Sequence, residues 1–384
     1  MAPEMIEQRH IRAQSPDALT VLLTGDMVLD VPDADHWLAG IAPALRSADL
    51  AIAHLEVPHT RRGSELKGDV PAPGADPDNL DALERAGVSL VSLAGNHIAD
   101  CGPQGIADTL DRLDALGIAH TGAGMNLAAA SRPAFIERCG QRVCLLSYNC
   151  VGPEIAWADA DRAGCNFLRM ETRDSKPITP PSPLVAPTAE ALARLRSDIA
   201  AARPGADLLV VALHKGIVHT PAKLAPYERP LAEAALDAGA DIVVGHHAHI
   251  VRGVELRKGQ PLFHGLGNGC VVTHALSPSQ DHPERAAWAK KRKEMFGFEP
   301  DARYELAPFH PEAVHAVIGV VRREADGRLR MGVIPVHVEP PGRPVCVNDA
   351  RAVDVIAYLD RIGAMAGLPP RQWQRDGQWL WWCT

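Results

Sequence analysis

The stretch Val243-Val244-Gly245-His246-His247-Ala248-His249 ends an apolar run that begins at Ala240, and so sets three imidazoles where a buried strand stops. Neutral imidazole is the commonest protein ligand for borderline metals, and two histidines spaced H-x-H on extended backbone point to one side, because strand side chains alternate with a period of two. A His-rich surface turn would look the same in isolation. Four further segments repeat the design of an apolar strand ending in Asp, Glu, Asn or His: Val21 to Asp26, Ala48 to Glu56, Leu90 to His97, and Leu208 to His214. Near-continuous apolar runs of this length are the pattern of strands buried on both faces. Helical patterns lie between them over 78–86, 106–116, 189–201 and 230–238. Such alternation implies βαβ units, whose ligands collect beyond the carboxyl ends of the strands. The polar clusters are therefore expected to converge.

The ordered set of motifs adds a resemblance. Gly25-Asp26, Ala48-Asp49-Leu50 with Leu55-Glu56-Val57-Pro58, Leu93-Ala94-Gly95-Asn96-His97 with Asp100-Cys101-Gly102, His120-Thr121-Gly122-Ala123-Gly124, Leu213-His214-Lys215-Gly216, Ala238-Gly239-Ala240-Asp241 with Gly245 to His249, and Gly265-Leu266-Gly267-Asn268 follow one another at workable spacing. In these the chain resembles the CapA, or poly-γ-glutamate-synthesis, group of the calcineurin-like metallophosphoesterase superfamily. The resemblance implies an α/β fold, a four-layer αββα sandwich of two mixed sheets flanked by helices. It also implies a divalent metal cofactor, one or two ions of Ca²⁺, Mg²⁺, Mn²⁺ or Zn²⁺.

Composition fits an enzyme with a large core: 384 residues, 46% of them hydrophobic. A formal net charge of −8 gives no electrostatic case for binding nucleic acid or an anionic membrane. No stretch reaches the roughly 18 to 20 apolar residues of a membrane span, and residues 1–20 lack the apolar core of a signal peptide. A cytoplasmic location is the expectation, with the eight cysteines reduced. Residues 1–19 read as a flexible lead-in, 20–345 as the main domain with insertions at about 155–188 and 277–312, and 346–384 as a C-terminal helix and aromatic tail on the same domain. The proline-rich stretch Lys176 to Pro187 cannot be regular helix or central strand. Residues 277–312 carry Lys290 to Lys293 among Trp288, Phe296, Phe298 and Phe309, and read as either a solvated helix or a lid. Strand-like runs at 316–321 and 329–336 are expected to complete the second sheet, and the tail holding Trp373, Trp379, Trp381 and Trp382 to be a docked helix or an aromatic contact surface.

Residue by residue, Asp26 and Glu56 are placed as metal carboxylates, with a helix cap and a surface charge as the plain alternatives. His214, His247 and His249 are the expected imidazole ligands. Asn96 resembles the superfamily's bridging amide, and His97 beside it resembles its general acid, for which Asp100 is the orienting acceptor. Asp26, His214 and His246 are further acid/base candidates, and Lys215, His54, His219 and Asn268 are expected at the substrate.

Departures from the family pattern shift the expected function. The superfamily's opening D-x-H is Asp26-Met27-Val28 here, so the first metal position lacks an imidazole. Where CapA proteins usually read N-L-E and H-W-G-x-E, this chain has His54-Leu55-Glu56 and His214-Lys215-Gly216-Ile217-Val218, followed by His219. Fewer nitrogen ligands favour a single oxygen-ligated ion such as Ca²⁺ or Mg²⁺. Such an ion beside several titratable groups suits proton transfer better than phosphate hydrolysis. The CapA-like group also contains enzymes that epimerise the Cα of the C-terminal residue of a lasso-peptide precursor, and that is the expected chemistry here, with a peptide as partner. Phosphoester hydrolysis and a CapA-type polymer-biosynthesis or binding role are the alternatives.

Overall fold

The computed structural model describes residues 18–66, 73–179, 182–277, 279 and 281–383. The lead-in assigned to 1–19 therefore lies almost wholly outside the described residues. All five motif segments are strands: Leu19–Asp30, Leu50–Leu55, Val88–Ser92, Leu208–Lys215 and Ile242–His247. Their continuous hydrophobicity has a physical cause, because both faces are covered. Val21, Leu23, Ile52 and Leu90 pack with Val210, Ala212, Ile242 and Val244 between two sheets. The alternate residues, Leu22, Ala51, Val91, Leu209, Val211 and Val243, turn the other way into a core that contains helical residues such as Leu38, Leu83, Leu195 and Leu231. Each such buried Val, Leu or Ile contributes about 1.5–3 kcal/mol over leaving it in water.

The first three motif strands run parallel in a ten-stranded mixed sheet, and the last two run parallel in a six-stranded one. The helical patterns form as expected. Ala189–Ala202, for example, is capped by the Thr188 side chain, which accepts from the Ala191 amide, and buries Ala191, Leu195, Ile199 and Ala202 on one face. Among the described residues, no helix is long and apolar enough to cross a membrane.

Two expectations are corrected. The strands His315–Arg323 and Leu329–Glu339 join the first sheet, not the second: His315–Arg323 pairs antiparallel with the start of Leu19–Asp30. The tryptophan tail is a hairpin, Gln372–Asp376 with Trp379–Cys383, which extends that same sheet through pairing of Trp381 with Gly332. Alternating Trp379, Trp381 and Gln372, Gln374 is a two-residue period, which a strand satisfies and a helix does not. The helix Ala350–Met365 precedes it, and its Val355, Leu359 and Ile362 share a core with strand residues Val254 and Val333. The segment 155–188 adds only two-stranded ladders outside the large sheets, and 277–312 contributes the helix Pro283–Phe296 and no strand among the described residues.

Strand Leu19–Asp30 carries the main irregularity. Its register slips between Leu23 and Asp26 against one neighbour and between Asp26 and Met27 against the other. Such bulges re-aim side chains beside active sites, and here the close approach depends on Gly25, where a Cβ would run into the Gly267 carbonyl. Gly25→Ala is expected to lower stability by about 1–3 kcal/mol or more, read as a shift in denaturant midpoint.

Candidate metal centre

The bulge turns Asp26 inward, where both carboxylate oxygens accept from the His247 amide at 3.2 Å. Register then assembles the rest. Asp26 pairs with His54 and Asn268, and His214 and Lys215 pair with His246 and His247. Three overlapping groups, Asp26 with His54 and His214, Glu56 with His214 and His247, and Asp26 with Glu56 and His249, each bring one ligand atom per residue within 4.8 Å of one another. Asn96 joins them, its Oδ1 lying 2.7 Å from His214 Nε2, which is also 3.1 Å from His247 Nδ1.

Glu56 is the residue that most favours a cation in this cluster. It is 1% exposed, and neither carboxylate oxygen has a hydrogen-bond partner among the described residues, with His249 Nε2 3.4 Å from Oε1. A buried carboxylate left in that state is strongly disfavoured unless a positive charge meets it. The donor set of carboxylates, imidazoles and one amide suits a divalent metal. Backbone strain accompanies it: His247 and His249 sit at φ 88° and 53°, conformations that cost a non-glycine residue about 1–3 kcal/mol.

Electrostatics follow from crowding. Burial, reinforced by repulsion from Glu56, pushes Asp26 up to about 7. Burial opposes the charge of His249, yet Glu56 and Asp26 hold it up at about 9. Burial likewise works against ionised Glu56, and His249 draws it down to about 2. Burial, then mutual repulsion among the imidazoles, keeps His54 and His214 well below the usual histidine range.

Beside this cluster, His97 Nδ1 lies 2.7 Å from Asp100 Oδ2, with Asp100 1% exposed. His97 also lines, with Glu56, Asn96, His247 and His249, a cavity of about 810 Å³. Its walls include Ile217, Val218, Trp288, Phe296 and Phe309.

Other expected site residues have different surroundings. Lys215, assigned to the substrate, is fully buried behind the centre, its Nζ 2.9 Å from Glu228 Oε2. Arg252 reaches the other oxygen of Glu228 at 3.2 Å, and these cations, against the burial penalty, hold Glu228 at about 2. Asn268, also assigned to the substrate, instead receives His249 Nδ1 at 2.9 Å, which turns Nε2 toward Glu56. His246, a candidate acid/base group, donates Nε2–H to the Thr24 carbonyl at 3.1 Å and stacks behind His54, outside the donor groups. His54, the third substrate assignment, is fully buried in the cluster itself. His219 does line the cavity, with Phe296, Phe298 and Phe309 around its ring at 4.9, 5.2 and 5.5 Å.

Sequence reasoning missed Ser92, whose hydroxyl meets His54 Nδ1 at 2.9 Å, and the Glu228–Arg252 pair. Arg252 carried a signal, a charge directly after the apolar Ile250-Val251, whereas an interior serine carries none.

Lys215→Met leaves Glu228 with half its compensation, so it is expected to cost about 3–5 kcal/mol in a denaturant titration. Metal binding should be pH-dependent with a defined sign. A cation must displace protons from Asp26 and His249, both of which lose theirs as pH rises, so affinity for Mn²⁺ should climb between about pH 6 and 9 with proton release. Calorimetry in buffers of different ionisation enthalpy measures it, and flat affinity with no proton release would contradict the arrangement.

A family model described as bacterial capsule synthesis protein PGA_cap matches residues 9–271. The capsule biosynthesis protein CapA of Bacillus anthracis is 26% identical over 270 residues, 67% of this chain and 61% of that protein. The PGA biosynthesis protein CapA of Bacillus subtilis is 25% identical over 272 residues, 68% of this chain and 66% of that one. The chain thus spans a little under two thirds of these relatives. Among solved structures, the calcineurin-like phosphoesterase YfkN from Bacillus subtilis aligns over 90% of this chain and 98% of its own, at 12% identity and a TM-score of 0.35. The family match extends over more than half of the sequence, and the chain belongs to the PGA_cap family of bacterial capsule synthesis proteins.

Proposed function

We propose that this chain is a metal-dependent hydrolase acting on a phosphoester or related ester, with Asp26, Glu56, Asn96, His214, His247 and His249 holding the metal and His97 as general acid. The observation that carries this reading is the His97–Asp100 pair at 2.7 Å, in which His97 lines the cavity beside Glu56 and Asn96 of the donor cluster. A divalent ion held there supplies Lewis acidity and positive charge for a developing oxyanion. Asp100 fixes the tautomer of His97 by accepting from Nδ1, so the other ring nitrogen is the one that delivers a proton to the leaving oxygen. Asn268 orients His249 in the same manner. His219, Phe296 and Phe309 keep water from the apolar side of the cavity.

A second reading, epimerisation at a peptide Cα, is favoured by one feature of the cavity. Its volume of about 810 Å³ and apolar walls suit a peptide segment. At its exposed rim, Arg173 and Lys223 make no ion pair among the described residues and could meet a peptide carboxylate. In that reading His97 exchanges the Cα proton, a second imidazole such as His219 serves the opposite face, and a precursor peptide is met in the cytoplasm. A CapA-type role in binding an acidic polymer would use the same rim without turnover.

The readings separate on one pair of assays. Hydrolysis predicts phosphate or p-nitrophenol release from generic phosphoesters, abolished by chelation, whereas epimerisation predicts solvent deuterium at one Cα with no change in composition. In either reaction His97→Ala should reduce turnover about 10² to 10⁴-fold while metal content and thermal stability stay near wild type. Full activity in that variant, or a defect explained by metal loss, would remove His97 from the acid/base role.

A further inference from the structure

After Asp26 the sequence lacks the imidazole expected at the first metal position, and the adjacent strand brings another to the same place. Asp26 and His54 are paired residues of the parallel ladder, with His54 Nε2 3.9 Å from Asp26 Oδ1. The His54 ring is fully buried, and Nε2 has no hydrogen-bond partner among the described residues. The opposite nitrogen is occupied: Nδ1 lies 2.9 Å from Ser92 Oγ, itself 2.8 Å from Ser147 Oγ. In the tautomer that donates Nδ1–H to Ser92, the lone pair stands on Nε2, and His54 forms with Asp26 and His214 one of the convergent donor groups. Gly95 keeps the approach open, since a Cβ there would stand 3.2 Å from His54 Nε2. His246, stacked against His54 at 4.5 Å, commits its Nε2 to the Thr24 carbonyl and belongs to none of the convergent donor groups.

We propose that His54 is a metal ligand, supplying from the second strand the imidazole missing after Asp26, and that with Asp26 and His214 it makes a nitrogen-rich position selecting a borderline ion such as Zn²⁺ or Co²⁺ over Ca²⁺ and Mg²⁺. The proposal rests on the metal-dependent reading above and reverses the expectation of an oxygen-ligated ion drawn from the sequence. Two of the three donors are imidazoles, whereas Ca²⁺ and Mg²⁺ are held by oxygen. Ser92 is then a positioning residue, fixing the ring through the nitrogen that does not bind metal.

The test uses the full chain, stripped of metal and titrated separately with Co²⁺ and Ca²⁺, in wild type, His54→Asn, His54→Leu and Ser92→Ala. Bound metal is measured by elemental analysis, and the Co²⁺ site by visible absorption and paramagnetic NMR. Wild type should prefer Co²⁺. The two His54 variants should lose Co²⁺ affinity by at least about 10-fold, and Ser92→Ala by a smaller factor, since even partners outside the ligand shell are worth about 10 to 100-fold. One slowly exchanging, cobalt-shifted ring N–H resonance, the His54 Nδ1–H, should vanish in His54→Asn. Wild-type affinity and spectra in folded His54 variants would overturn the proposal while leaving the metal-dependent reading intact. Tighter Ca²⁺ than Co²⁺ binding by wild type would overturn the selectivity, and failure of wild type to bind either ion would end both. If neither His54 variant folds, Ser92→Ala decides: an unchanged affinity together with an unchanged N–H resonance rejects the assignment.

Discussion

Asp26 and Glu56 are two carboxylates taken almost wholly out of water within reach of the same imidazole, His249, and much of the molecule is arranged around that charge. Burying one unpaired carboxylate is costly, and burying two close together is worse unless cations or cationic side chains answer them. The strand irregularity at Gly25 and Asp26, the left-handed backbone of His247 and His249, and the donation of the His247 amide to Asp26 all serve to bring nitrogen toward those oxygens. The two sheets supply rigid backing. Their cores are apolar on both sides, so the strand ends cannot drift without opening well-packed surface.

The fold was legible in the sequence to the extent that burial writes itself as hydrophobicity. The motif strands were found because each is covered on both faces, and the helices because they are covered on one. The strand Gln141–Asn149, which lies between Leu208–Lys215 and the edge strand of the six-stranded sheet, was missed because Gln141, Arg142 and Ser147 interrupt its apolar run. The tail was misread as a helix option because tryptophans were counted and their spacing was not.

The candidate site was legible in residue type and less so in direction. A histidine at a strand end can face the centre, its own backbone or a neighbouring ring, and the choice depends on partners far away in sequence. His246 turns to the Thr24 carbonyl and His54 to Asp26, yet nothing local to either residue distinguishes them. Lys215 looked like a free cation beside a metal ligand. Strand alternation carries it to the opposite face from His214, where Glu228 and Arg252 wait. Rings that come together from 219, 296, 298 and 309 could not be paired from one sequence, because the contact spans an insertion with no periodic signal.

The cavity over the centre has walls of unequal stiffness. The segment from Gly216 to Tyr227 is tied down at both ends: Gly216 donates its amide to the Tyr227 hydroxyl at 2.7 Å, Arg252 holds the Ile217 carbonyl at 2.8 Å, and Glu228 receives the Ala225 amide at 2.6 Å. Lifting that wall would expose a buried Lys–Glu–Arg cluster. The facing helix Pro283–Phe296 buries only Arg292, held by the backbone carbonyls of Pro308 and Leu276. Ligand-dependent adjustment should therefore be one-sided, with the Gly216–Tyr227 wall acting as a fixed template and the helix yielding to whatever is bound. Differences in what the cavity accepts would then be carried by a helix that buries little of itself in the core.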